Sequence, residues 1–295
     1  MTGTGQVGDM VGRSLRRMLS GSADGPPPWV RELSEPGDAG LHGPGSAAWA
    51  VHGSLATLVG GVRALLLQAA HPLALAGVLQ HSNYRADPLG RLQRTNLFLT
   101  VTTYGSTEQT ARAIDRVLAA HRSVVGTAPD GRPYSAADPQ LLTWVHAALV
   151  DSMLRATQEY GPREVDPDAY VAGAAPVARL LGIPDPPTTQ AGLALTIEAY
   201  LPQLGADAST REAVRFLMAP PLPIAAQPAY QVLARAAVDL LPQWALELLG
   251  LPDRPGFVRA GDRAVCAALL GSLRRLLGSG SPGELAARNR LGLVD

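Results

Sequence analysis

Two histidines stand on helix faces that ought to be apolar. On the stretch TEQTARAIDRVLAAHRSVV, Ile114, Val117, Leu118, His121, Val124 and Val125 recur at three- and four-residue spacing, while Arg112, Asp115, Arg116, Ala119 and Arg122 fall mainly on the opposite side. The imidazole of His121 is thereby placed on the buried stripe. Such a ring has two uses: a core histidine with one hydrogen-bond partner per nitrogen, or a ligand to a metal or a haem iron, which takes a neutral imidazole on a rigid helix. His146 repeats the situation one helix later in LLTWVHAALVDSML, a segment apolar around most of its circumference and therefore central. Asp151 follows in the same segment, where a carboxylate needs compensation by an arginine in an ion pair or by an imidazole that it orients.

A third cluster is basic. Arg91 and Thr95 are four apart and Arg94 is three from Arg91, so all three share a helical face that could hold a carboxylate, a haem propionate included, or form ordinary surface ion pairs. Upstream, Gln68, His71 and His81 lie in LLLQAAHPLALAGVLQHSNY, where Pro72 must kink or break a helix. His71 precedes that proline and is biased towards extended geometry; it either serves the bend or contributes to a pocket beside it.

The elements that must position these residues are helical. Ser106 and Gln109 form a capping-box pattern that opens the His121 helix, and Gly126 is placed to close it as a left-handed residue. Asp138-Pro139 supplies an N-cap and a first-turn proline for the His146 helix, which Gly161 ends; PDG at 129–131 is a turn between the two. Asp166-Pro167 opens a further helix that ends near Gly182. Helical patterns continue through TQAGLALTIEAYLPQL, YQVLARAAVDLL and DRAVCAALLGSLRRLL, with proline-rich breaks at IPDPP and at 219–228 that read as a connector or a substrate lid. The fold class is all-α: one large, bundle-like helical domain over 46–295, enclosing a pocket, behind an irregular arm at 1–45 with at most a short helix around Val11 to Leu19.

Composition removes several alternatives. With 25 acidic and 25 basic side chains in 295 residues, the bulk charge favours neither nucleic acid nor an anionic membrane, and a small-molecule substrate is the default. All the basic residues are arginines, so lysine chemistry is absent. The lone Cys266, in an apolar run, fits a small buried hydrophobe and a reducing, cytoplasmic compartment. Arg16-Arg17 is followed by no apolar region that an export pathway would read. The most apolar stretch, Ala64 to Gln80, carries Gln68, His71 and Pro72 and falls short of the about 18 to 20 residues that span a bilayer, so no integral membrane segment is expected. Phosphate-loop, nucleophile-elbow, HExxH and Cys-x-x-Cys signatures are missing.

The wording of LLLQAAHPLALAGVLQHSNYRADPLGRLQRTNLFLTVTTYG and then RVLAAHRSVVGTAPDGRPYSAADPQLLTWVHAALVDSML resembles the MpaB and rubber-oxygenase (latex-clearing protein) family, over roughly residues 45 to 165. The resemblance implies a single non-covalent haem b on a helix-borne histidine and an oxygenase that consumes dioxygen or a peroxide, in some settings with a redox partner. The family pattern H-x-x-V falls on His121, which makes it the implied proximal ligand, with His146 as fallback axial or distal group. Arg91 and Thr95 match the pattern R-x-x-[KR]-T. Rubber-cleaving members have a lysine at its penultimate position, where this chain has Arg94, a guanidinium that stays protonated and is a poor iron ligand. Those members also have a glutamate upstream, whereas QAAHPLALAGV holds no acid. The implied reaction is therefore oxidative cleavage, hydroxylation or desaturation of a small apolar or biosynthetic intermediate other than rubber, with His71 and Asp151 as further pocket residues. The rival readings are a haem protein without turnover, bis-histidine ligated for electron transfer or sensing, and a helical scaffold with no cofactor.

Overall fold

The computed structural model describes residues 27–293, apart from Tyr84, Arg163 and Ser279. Four short or medium helices come first: α1 (Pro28–Leu33), α2 (Ala47–His52), α3 (Thr57–Ala69) and α4 (Pro72–His81). The basic cluster lies on α5 (Pro88–Tyr104) and His121 on α6 (Thr107–Ser123). A hairpin of β1 (Val125–Thr127) and β2 (Pro133–Ser135) leads into the long α7 (Pro139–Tyr160), which carries His146. The remainder is α8 (Pro167–Leu180), α9 (Gln190–Tyr200), α10 (Ala208–Met218), α11 (Gln227–Asp239), α12 (Gln243–Leu249), α13 (Gly256–Leu277) and α14 (Pro282–Arg290). The fold is all-α, with the one small antiparallel hairpin pairing Val125 with Ser135, Gly126 with Tyr134 and Thr127 with Pro133.

The pairing of α3 with α7 organises the rest. These two helices pack along one another more extensively than any other pair, and α11, α10, α9 and α8 surround them. The reason is compositional: Val59, Val62, Leu66 and Leu67 of α3 meet Trp144, Ala148, Ala156 and Tyr160 of α7 in the main core, which α11 and α13 complete with Ala237, Cys266 and Leu270. Gly60 permits the close approach, since a Cβ there would lie 2.9 Å from Met153 Sδ and 3.1 Å from Ser152 O. Within this apolar seam one charge pair is inserted. Arg63, 3% exposed, donates to Asp151 at 2.7 Å, to Ser152 Oγ at 2.8 Å and to Leu240 O at 2.9 Å, so a single guanidinium ties α3 to α7 and to the end of α11.

Sequence expectation and structure diverge at the end of α6. Gly126 does not close that helix in a left-handed conformation: Val124 caps it, and Gly126 sits in β1. What it needs is the lack of a side chain, because a Cβ would stand 2.6 Å from the Tyr134 hydroxyl and 2.9 Å from Gln80 Oε1. Val125, expected on the buried stripe, is exposed for the same reason, having turned into the strand. In the segment read as an irregular arm, Pro28–Leu33 is helical and packs on α14 and α5; the short helix anticipated around Val11 to Leu19 lies outside the described residues. The proline-rich segment at 219–228 runs as a connector with a short 3-10 turn at Ile224–Ala226, fastened by Gln231 Nε2 to Met218 O at 2.8 Å.

Among the described residues no single helix is long and apolar enough to cross a membrane; α3 and α4 reach that length and composition together only across a 106° bend. Removing the central guanidinium tests the organising role of the α3–α7 seam. Arg63→Ala leaves Asp151 buried beside only the weaker, exposed Arg155 at 3.5 Å, and the expected loss of stability is about 3–5 kcal/mol in denaturant unfolding; a loss below about 1 kcal/mol would show the pair to be peripheral.

Candidate functional site

The bend between α3 and α4 is made by His71 and Pro72. Proline at the first position of α4 cannot continue α3, and His71 takes extended dihedrals (φ −97°, ψ 112°) as the N-cap. The interrupted backbone is satisfied from outside, with the Gly205 N–H donating to Ala70 O at 2.9 Å. His71 itself is driven inward, against Trp144 of α7 and Tyr200 of α9, with ring centroids 6.2 Å away in both cases.

α6 brings in His121 from another direction. Its capping box is formed as expected, Ser106 Oγ accepting from Gln109 N and Gln109 Oε1 accepting from Ser106 N. At the far end Val124 joins Leu73 and Ala76 of α4, Tyr134 of β2 and Leu141 of α7 in one apolar cluster, so the end of α6 is anchored between α4 and α7. His121 is half-buried one turn before that anchor. His146 is half-buried on α7, one turn before Leu149, which shares a second cluster with Leu99 of α5. Thr95 stands one turn before Leu99 on α5. His71 at the start of α4 thus meets α7 through Trp144, His121 and His146 are half-buried on α6 and α7, and Thr95 is exposed on α5.

The electrostatics of the three imidazoles agree. Burial holds His146 down to about 4, and it also pushes His71 and His121 below the ordinary histidine value; for His71 nearby Arg132 acts in the same direction. All three are neutral at pH 7. Among the described residues both ring nitrogens of His71, Nδ1 of His121 and Nε2 of His146 are buried without a hydrogen-bond partner. Unpartnered buried nitrogens are rare in folded proteins, and each calls for a ligand, a water or a metal.

The other candidates take other places. Asp151 is occupied by Arg63 and Arg155, so its contacts are those of a structural ion pair. Arg91 donates to Ser82 Oγ and accepts the Thr95 hydroxyl on its carbonyl at 3.2 Å, while Arg94, 64% exposed, pairs with Asp87 at 3.3 Å. These three form a polar, partly solvated face at the start of α5. Gln68 donates to Val145 O at 3.3 Å, and His81 faces the Tyr134 hydroxyl at 3.1 Å, in a chain that runs on to Gln80 and Thr127 O and fastens the hairpin to α4. Trp144 and Tyr200 were not singled out from sequence; aromatic residues in apolar helices carry no signal of their own, and only the contact with His71 distinguishes them. Two surface clefts, one along Thr157 to Pro167 and one between α1 and α6, include none of the three histidines.

The chain matches the family model described as "ER-bound oxygenase mpaB/B'/Rubber oxygenase, catalytic domain" over residues 49–276. The chain belongs to this family. The matched span runs from α2 into α13, so this chain carries the family's oxygenase catalytic domain, and α1 and α14 flank it. No curated protein and no solved structure matches the chain.

A pH dependence follows from the neutral rings of this oxygenase domain. Because the folded values are lowered, the unfolded chain binds more protons than the folded one between the ordinary value of 6.5 and about 4, and stability falls as pH falls through that window. Urea unfolding is expected to lose on the order of 1–2 kcal/mol for His146 alone between pH 7 and pH 5, with a shallower profile in His146→Phe; identical profiles for the two proteins would contradict the burial of that ring as a neutral group.

Proposed function

We propose that the protein is a haem b-dependent oxygenase whose iron is held by His121 and which oxidises a small apolar substrate with dioxygen or a peroxide. The observation that carries the reading is the neutral, half-buried imidazole of His121 with an unpartnered buried Nδ1, inside a domain of an oxygenase family. The residues present fit the group. Holding the iron would need a neutral imidazole whose bonding nitrogen carries neither a proton nor a competing hydrogen bond. Propionates need donors at a solvated edge, and Arg91 and Thr95, with Arg94 beside them, supply a polar face at the start of α5.

When bound, the haem would supply the oxygen chemistry, and the protein would supply the histidine ligand, orientation and an apolar wall. His121 holds position because Val124 fixes the end of α6 against α4 and α7. Arg94 stands where rubber-cleaving members have a lysine, and its charge is exposed and paired with Asp87. With no acid in the segment 68–78, a base for rubber cleavage has no counterpart there. Cleavage, hydroxylation or desaturation of a different small molecule is the reading these residues support, with a redox partner where electrons are required.

One observation favours a second reading. His146 is also neutral, with Nε2 buried and unpartnered, so ligation by both His121 and His146 would make a six-coordinate protein for electron transfer or sensing. The ultraviolet-visible spectrum separates the two. The oxygenase reading expects a Soret band that shifts with carbon monoxide, falls at least tenfold in His121→Ala and persists in His146→Ala. A low-spin spectrum insensitive to carbon monoxide and altered by both substitutions favours the second reading, and a folded, haem-supplied protein without a Soret band overturns both.

A further inference from the structure

His71 differs from the other two candidate histidines in being sealed: it is 1% exposed, with neither ring nitrogen partnered among the described residues. Its walls are aromatic. Trp144 and Tyr200 each lie 6.2 Å from it between ring centroids and 5.5 Å from one another. Trp144 is completely buried, and its indole Nε1 also lacks a partner. The Tyr200 hydroxyl donates to Gln140 O at 2.7 Å, which leaves its oxygen able to accept. Gln203 is near enough to act on the imidazole as an acceptor without reaching hydrogen-bond geometry.

The chemistry of these atoms restricts what can satisfy them. An indole N–H only donates, and a neutral imidazole has one N–H and one lone pair. With the imidazole N–H turned to the Gln203 side, the box is left with one donor, Trp144 Nε1, and one acceptor, the His71 lone pair. A guest must accept from the first and donate to the second. A carbonyl or an ether cannot donate, and a metal cation cannot bond an indole N–H; a hydroxyl does both. Buried waters occupy such places when they find two to four polar partners, and Trp144 and His71 provide two, with the Tyr200 ring as a wall.

We propose that His71, Trp144 and Tyr200 form an internal hydroxyl-binding site, filled by a single water or by the hydroxyl of a small alcohol. The site needs no iron on His121, so it stands or falls separately from the haem assignment. It would also fix the α3–α4 bend by tying the ring at the bend to the middle of α7.

The test is a crystal structure of the whole chain that resolves ordered solvent, determined also for Trp144→Phe and His71→Phe and for wild-type crystals in 1-propanol. The expected result is one oxygen within hydrogen-bond distance of Trp144 Nε1 and of a His71 ring nitrogen, lost in both variants. In 1-propanol an unchanged peak identifies water and a peak extended by the alkyl chain identifies the alcohol, and either upholds the site. A wild-type box with no atom between the rings, an indole bonded directly to His71, or a peak that survives in both variants overturns it.

Discussion

A buried ring nitrogen with no partner is destabilising by roughly 1–3 kcal/mol, and this chain places such nitrogens on three histidines around the first half of one helix. A protein whose total stability is of the order of 5–15 kcal/mol keeps such groups only where the rest of the fold holds them in place. Here the holding is done by α7 and by what is packed on it. α3 fixes α7 along its length, α4 turns away at His71 to place that ring on Trp144, and Val124 locks the end of α6 against both α4 and α7.

The polar groups of Arg63 and of the histidines are satisfied to different extents within the protein. Arg63 and Asp151 are the more polar groups, yet their needs are met within the protein by an ion pair and by bonds to Ser152 and Leu240. Nothing in that set calls for a ligand. Ring nitrogens of His71, His121 and His146 have no partner among the described residues, as is also true of Trp144 Nε1, Thr157 Oγ1, Asp239 Oδ2 and Arg254 Nε.

Helix positions were legible in the sequence wherever capping chemistry was local: the box at Ser106 and Gln109, the Asp-Pro starts of α7 and α8, and the end of α8 near Gly182 all follow from residues a few positions apart. Periodicity also placed His121 and His146 on inward-tending faces. It gave no account of Gly126, whose constraint is the hydroxyl of its hairpin partner Tyr134 and the amide of Gln80 on α4. The compensation of Asp151 was open for the same reason, since its partner Arg63 is brought to it by the α3–α7 packing. The aromatic box around His71 was invisible because Tyr200 joins it only through the tertiary fold. Local chemistry sets the elements, and the site arises where non-local packing brings their ends together.

We propose that the imidazole of His121, near the end of α6, holds haem iron. The direct measurement is the haem content of the full chain, produced with ample haem supply and assayed as the pyridine haemochrome against protein concentration. The account predicts one haem b per chain; a folded protein with none would contradict it.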